Sequence, residues 1–126
     1  MGLFDRLRRR RPPADAEEDD AAPLAVQDVD PAAAQALQAD GAIIVDVRHR
    51  HEYDSCHIPG AHLLPVDEIR RDVSLLPIGK PLVFVCEMGG RSAYAAALAA
   101  AAGRSDVFNL DGGMQAWLAA GLPTEP

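Results

Sequence analysis

The feature that most constrains this chain is the run Val83-Phe84-Val85-Cys86-Glu87-Met88-Gly89-Gly90-Arg91-Ser92, followed by an alanine-rich stretch over 93–102. An apolar, β-branched and aromatic segment stops at a cysteine, and four residues, including a Gly-Gly pair, separate it from Arg91. Arg91 and Ser92 then open a segment of strong helix formers. Strand, tight loop and helix in that order set a side chain at the carboxyl end of a sheet, over the amino end of a helix. Gly89 and Gly90 permit positive φ, so successive backbone N–H groups can turn inward into an anion-binding concavity. Those donors, the helix dipole and Arg91 all favour a thiolate at Cys86. An inert buried thiol is the plainer use of a cysteine, but the position before a Gly-Gly-Arg loop favours a nucleophile that holds a transferred group.

A chain of 126 residues has room for one domain with a proper core. Its net charge of −7 argues against a nucleic-acid surface, which needs a basic patch. Cys56 and Cys86 lack the paired spacing of a zinc site and are too few for a disulfide framework. His49 and His51 have no partner set that suggests a metal, and no cofactor is expected. The apolar run over 93–102 is about half the roughly twenty residues that span a bilayer. The start Met-Gly-Leu-Phe lacks the apolar stretch of a secretory signal, so the expected compartment is the cytoplasm, without stable membrane association. In that reducing setting a lone exposed cysteine is more often catalytic or redox-active than structural.

Residues 1–23 differ from the rest. Arg6 and Arg8 to Arg11, then Pro12-Pro13, then Asp15, Glu17, Glu18, Asp19 and Asp20 form charge blocks around prolines that cannot bury apolar area. The expectation is a disordered, solvated tail, with Leu3, Phe4 and Leu7 able to form one turn that touches a membrane or partner. A single folded domain is expected over 24–126. It begins with a strand at Leu24-Ala25-Val26, then a helix capped by Asp30, with Pro31 at its first position, and closed at Asp40-Gly41. The apolar runs 42–47 and 82–85 read as strands covered on both faces, and 61–64 and 107–110 as shorter ones. Helical spacing falls over 49–54, 67–73, 91–102 and 114–120. This alternation predicts an α/β fold with a mainly parallel sheet, right-handed crossovers and helices on both faces. Asp46 and Cys86 then lie together at the carboxyl ends of strands.

Three stretches carry a family likeness: Val45-Asp46-Val47-Arg48 running on to Glu52-Tyr53 and His57-Ile58-Pro59-Gly60-Ala61; Cys86 to Ser92; and Asn109-Leu110-Asp111-Gly112-Gly113-Met114-Gln115-Ala116-Trp117, ending Gly121-Leu122-Pro123. In order and spacing the chain resembles a single rhodanese (sulfurtransferase) domain over roughly 24–126. The resemblance implies a five-stranded, mostly parallel sheet and a loop cysteine that accepts a sulfane sulfur. Cys86 would become a persulfide, cradled by the loop Glu87, Met88, Gly89, Gly90, Arg91 and Ser92, and pass the sulfur to cyanide, a thiol or a protein. Related phosphatases and arsenate reductases have a loop one residue longer, sized for an oxyanion, so the four-residue loop favours sulfur transfer. A non-catalytic interaction or redox module is the alternative, against which the intact Cys86 argues. The sulfur donor and acceptor are small molecules or proteins, with thiosulfate or a persulfide as donor; their identity and the oligomeric state are open.

Two positions depart from the pattern. Glu87 and Met88 take the first two positions of a loop in which many thiosulfate-using members carry basic residues. A carboxylate beside the nucleophile should repel a dianionic donor and raise the pKa of Cys86, which favours a neutral or protein-bound persulfide. Cys56 replaces the usual glycine before His57. It reads as a small residue tolerated in a loop, the sharper alternative being a resolving thiol for Cys86. Arg91 either orients the persulfide or a substrate anion, or ties the loop to Asp46 or Glu52. Asp46 and Arg48 are expected as an ion-paired scaffold supporting the site, and His57 as a hydrogen-bonded turn residue. Gly112 and Gly113 should let the last helix approach the active loop.

Overall fold

The computed structural model describes residues 26–126. The expected tail over 1–23, with its amphipathic turn, lies outside the described residues, as do Leu24 and Ala25. Five strands, β1 (Val26–Val29), β2 (Ile43–Asp46), β3 (His62–Leu63), β4 (Leu82–Val85) and β5 (Val107–Leu110), form one sheet in the order β1-β5-β4-β2-β3. All four pairings are parallel. The first strand runs further than Val26 because Val26 to Val29 pair in register with Val107 to Leu110. Its extent was set by a partner some eighty positions away, which local sequence cannot show.

The helices are α1 (Pro31–Ala39), α2 (Arg50–Ser55), α3 (Val66–Arg71), α4 (Gly90–Ala101) and α5 (Gly113–Ala119), with a 3-10 turn over Val73–Leu75. The side chain of Asp30 accepts the N–H of Ala33 at 2.8 Å, the N-cap expected of Asp before Pro31. The expected helix over 67–73 divides at Asp72, whose backbone is extended and whose carboxylate caps the 3-10 turn through the N–H of Ser74. A short polar side chain that can bind its own downstream backbone breaks a helix in this way.

Every residue of the central strand β4 is buried, as a strand covered on both faces requires. Val83 and Val85 join Phe108, Leu110, Leu37, Met114 and Trp117 in one layer, beneath α1 and α5. Leu82, Phe84 and Cys86 alternate into the other, against Ile69, Ala95, Ala96 and Ala99 of α3 and α4. Small residues on α4 let its backbone lie close to the sheet. Trp117 fills the first layer and donates its indole N–H to the carbonyl of Pro123 at 2.9 Å, so its polar atom is satisfied.

Candidate active site

The loop after β4 and the N-terminus of α4 place the cysteine. Cys86 is 1 % exposed and belongs to the α4 side of the sheet. Its Sγ accepts the N–H of Gly89 at 3.1 Å and lies 3.3 Å from the Ser92 hydroxyl. That hydroxyl also lies 3.3 Å from the carbonyl of Gly89. Of the Gly-Gly pair only Gly89 takes positive φ, at +110°, as N-cap of α4. Gly90 is the first helical residue, one position earlier than expected. The turn therefore needs one left-handed residue, and the helix supplies the rest of the curvature.

Burial pushes the Cys86 thiol up, but the Ser92 hydroxyl and the backbone N–H groups of Ser92, Gly89 and Met88 outweigh it, and the thiol is held below the usual cysteine range. The upward shift expected from Glu87 is not the net result. One Glu87 oxygen lies 3.3 Å from Nη1 of Arg48, and the other accepts a hydrogen bond from the side-chain amide of Gln115. The carboxylate has two donors of its own.

Arg48 is 3 % exposed and forms a junction. It donates to both oxygens of Asp46, which is fully buried, and to the carbonyl of Cys56 at 2.7 Å. Burial opposes the charge on Arg48, but Asp46, then Glu87 and Glu52, raise its pKa above the ordinary value. The expected pairing of Asp46 and Arg48 is thus present, and it extends to the active loop. At the loop's other end Arg91 donates to both oxygens of Glu52 at 2.9 and 3.0 Å. The hydrogen bond from Arg91 is the largest influence on Glu52 and outweighs burial, lowering its pKa to about 2. Of the two partners considered for Arg91, Glu52 has it and Asp46 is taken by Arg48.

The last helix closes the site from below. The N–H groups of Met114 and Gln115 donate to the carbonyls of Cys86 and Glu87 at 2.8 and 3.1 Å. First-turn N–H groups of α5, which have no partners in their own helix, thereby fix the orientation of the two peptides that start the loop. Gly113, at φ +58°, makes this approach possible: a Cβ there would sit 2.4 Å from the Cys86 carbonyl oxygen. Gly112-Gly113 before a helix was the readable signal for this contact. The role of Gln115 carried no such signal.

Other residues lie apart from the sulfur. His57 bonds the carbonyl of Tyr53 through Nδ1 at 2.8 Å, lies 3.3 Å from Glu125 through Nε2 and stacks on the Tyr53 ring. These contacts, and the backbone bridge to Glu125, make it a structural anchor for the C-terminal segment. His49 and His51 stack on each other, and no group of metal-ligating residues occurs among the described residues. Cys56 packs on the α1 and α5 layer, opposite the layer that holds Cys86. Both thiols are free. A shallow pocket of about 270 Å³ opens beside the loop, lined by Arg48, His51, Glu52, Cys56, Glu87 and Leu118. Met88, at the tip of the loop, is 74 % exposed.

The pattern of the rhodanese-like domain matches residues 30–120. The chain belongs to the rhodanese family. The rhodanese domain is 41 % identical over 91 residues to the thiosulfate sulfurtransferase GlpE of Pseudomonas savastanoi pv. phaseolicola, covering 72 % of this chain and 86 % of that protein. A thiosulfate sulfurtransferase of Pseudomonas aeruginosa superposes with a TM-score of 0.70 at 30 % identity, over 83 % of this chain and 21 % of the larger chain. A rhodanese-related protein of Thermoplasma volcanium shares the fold, with a TM-score of 0.72 at 24 % identity, over 79 % of this chain and 97 % of that one. By this kinship the rhodanese domain is a rhodanese-type sulfurtransferase. No helix among its described residues is long and apolar enough to cross a membrane.

Proposed function

We propose that this domain transfers sulfane sulfur through a persulfide on Cys86. The observation that carries the reading is the cradle: a buried sulfur facing the Gly89 N–H and the Ser92 hydroxyl, at the start of α4, in a loop with four residues between Cys86 and Arg91. Such a site stabilises a thiolate, and equally the persulfide anion that replaces it, with fixed donors and no general base.

Thiosulfate, the donor in the relatives' names, suits this site because the Glu87 carboxylate is already paired with Arg48 and Gln115. The Cys86 thiolate attacks the outer sulfur of thiosulfate. An S–S bond forms to Cys86, the bond to the sulfonate breaks, and its electron pair leaves with sulfite. An acceptor thiolate, or cyanide in an assay, then attacks the terminal sulfur and returns Cys86 as thiolate. Charge and sulfur balance in both steps, and no redox cofactor enters. A persulfide on a protein or small molecule is the second donor class, delivering the same sulfur to the same atom. The cytoplasm is the compartment this reading assigns, since the free thiols suit a reducing setting.

The test is intact-protein mass after brief exposure to thiosulfate or polysulfide, for wild type, Cys86→Ser and Cys56→Ser. A gain of one sulfur atom that cyanide removes, lost only in Cys86→Ser, is the expected result. A folded wild type that gains no sulfur from either reagent overturns the reading in favour of a non-catalytic interaction module.

A further inference from the structure

The residue next to the nucleophile is a carboxylate in a protein whose relatives handle a dianion. The structure places that carboxylate between two donors drawn from different elements. Arg48 lies 3.3 Å from Glu87 Oε1 and is itself fixed by Asp46 and the Cys56 carbonyl. Gln115 donates its side-chain amide to Oε2, and its backbone N–H donates to the carbonyl of Glu87 at 3.1 Å. Glu87 is therefore held twice by one residue of α5, at backbone and at side chain. The side chain of Glu87 is about one-third exposed, so it can change rotamer once these donors are removed.

We propose that Gln115 is a positioning residue that sets donor specificity: by holding the Glu87 carboxylate aside it keeps the approach to Cys86 open to anionic sulfur donors. Arg48 alone cannot do this. Its guanidinium is shared with buried Asp46 and the Cys56 carbonyl, and its contact with Glu87 is the longest of the set. A freed carboxylate near the sulfur repels a dianion about twice as strongly as a monoanion, and a neutral reagent hardly at all. The inference rests on Cys86 being the sulfur-accepting atom, while its electrostatic part can be read without turnover.

The experiment compares wild type, Gln115→Ala, Glu87→Gln and the double variant Glu87→Gln/Gln115→Ala. Two readouts are taken: KM against kcat for thiosulfate with cyanide as acceptor, and the ratio of Cys86 alkylation rates by anionic iodoacetate and neutral iodoacetamide. In Gln115→Ala, KM should rise about three- to tenfold with a smaller change in kcat, and the iodoacetate to iodoacetamide ratio should fall about threefold. The double variant should recover both, because no carboxylate remains to be released. Unchanged KM and ratio in folded Gln115→Ala overturn the proposal. So does an equal loss in the double variant, which would mean that Gln115 only supports the loop. If wild type gains no sulfur from thiosulfate while the alkylation ratio still falls and is rescued, the donor reading fails and the role of Gln115 stands.

Discussion

The amide of Met114 donates to the carbonyl oxygen of Cys86 at 2.8 Å, so the peptide that carries the proposed nucleophile is fixed by a helix that begins nearly thirty residues later in the chain. Gly113 sits at that crossing with φ +58°. Gly113→Ala puts a Cβ 2.4 Å from the Cys86 carbonyl oxygen and 2.6 Å from that of Glu87. Both obstacles are backbone and cannot rotate away. The expected cost is about 2–4 kcal/mol of stability, from overpacking plus the left-handed backbone. Urea denaturation should show a lower midpoint, with sulfur loading reduced in whatever protein remains folded.

Ser92→Ala removes a hydroxyl 3.3 Å from Sγ in a fully buried position. That hydroxyl is the largest of the influences favouring the thiolate, so its loss should raise the Cys86 pKa. The rate of iodoacetamide alkylation against pH reads this directly. The profile should move to higher pH, with the plateau rate retained.

The Arg91–Glu52 pair is an acid-sensitive tie. Glu52 has a folded pKa of about 2 against an ordinary 4.5, so it binds protons more readily when unfolded. Its contribution is complete above about pH 4.5 and drains away as the pH falls toward 2. Both side chains are partly exposed, which limits the effect to about 1 kcal/mol. In Glu52→Gln the thermal midpoint should be lower near pH 7, and the gap to wild type should close as the pH drops through that window.

Arg48→Met leaves the fully buried Asp46 without its cation. An uncompensated buried charge costs about 3–5 kcal/mol. The variant should be much less stable than wild type at neutral pH, measured by thermal melts.

Cys56 and Cys86 pack in opposite core layers. Cys56→Ser should therefore load and release sulfur at Cys86 as wild type does, and mild oxidation of wild type should yield no internal disulfide by mass spectrometry. A two-thiol relay would need the opposite result on both counts.

What the sequence determined by itself were the features whose cause is local. Asp30-Pro31 starts α1, the apolar run Leu82–Val85 makes a strand buried on both faces, and the spacing from Cys86 to Arg91 fixes a loop with a cysteine at the head of a helix. These depend on φ preferences, capping and side-chain alternation within a few residues, and they held. Tertiary structure decided everything that needed a partner across the fold. It gave β1 its extent through Val107–Leu110, gave Arg91 to Glu52 rather than Asp46, and turned Glu87 from a neighbour expected to oppose the thiolate into a group held by Arg48 and Gln115. The reason is physical: the sign of a charge is written in the residue, but its effect on a neighbouring sulfur depends on direction, distance and competing donors, which only packing sets.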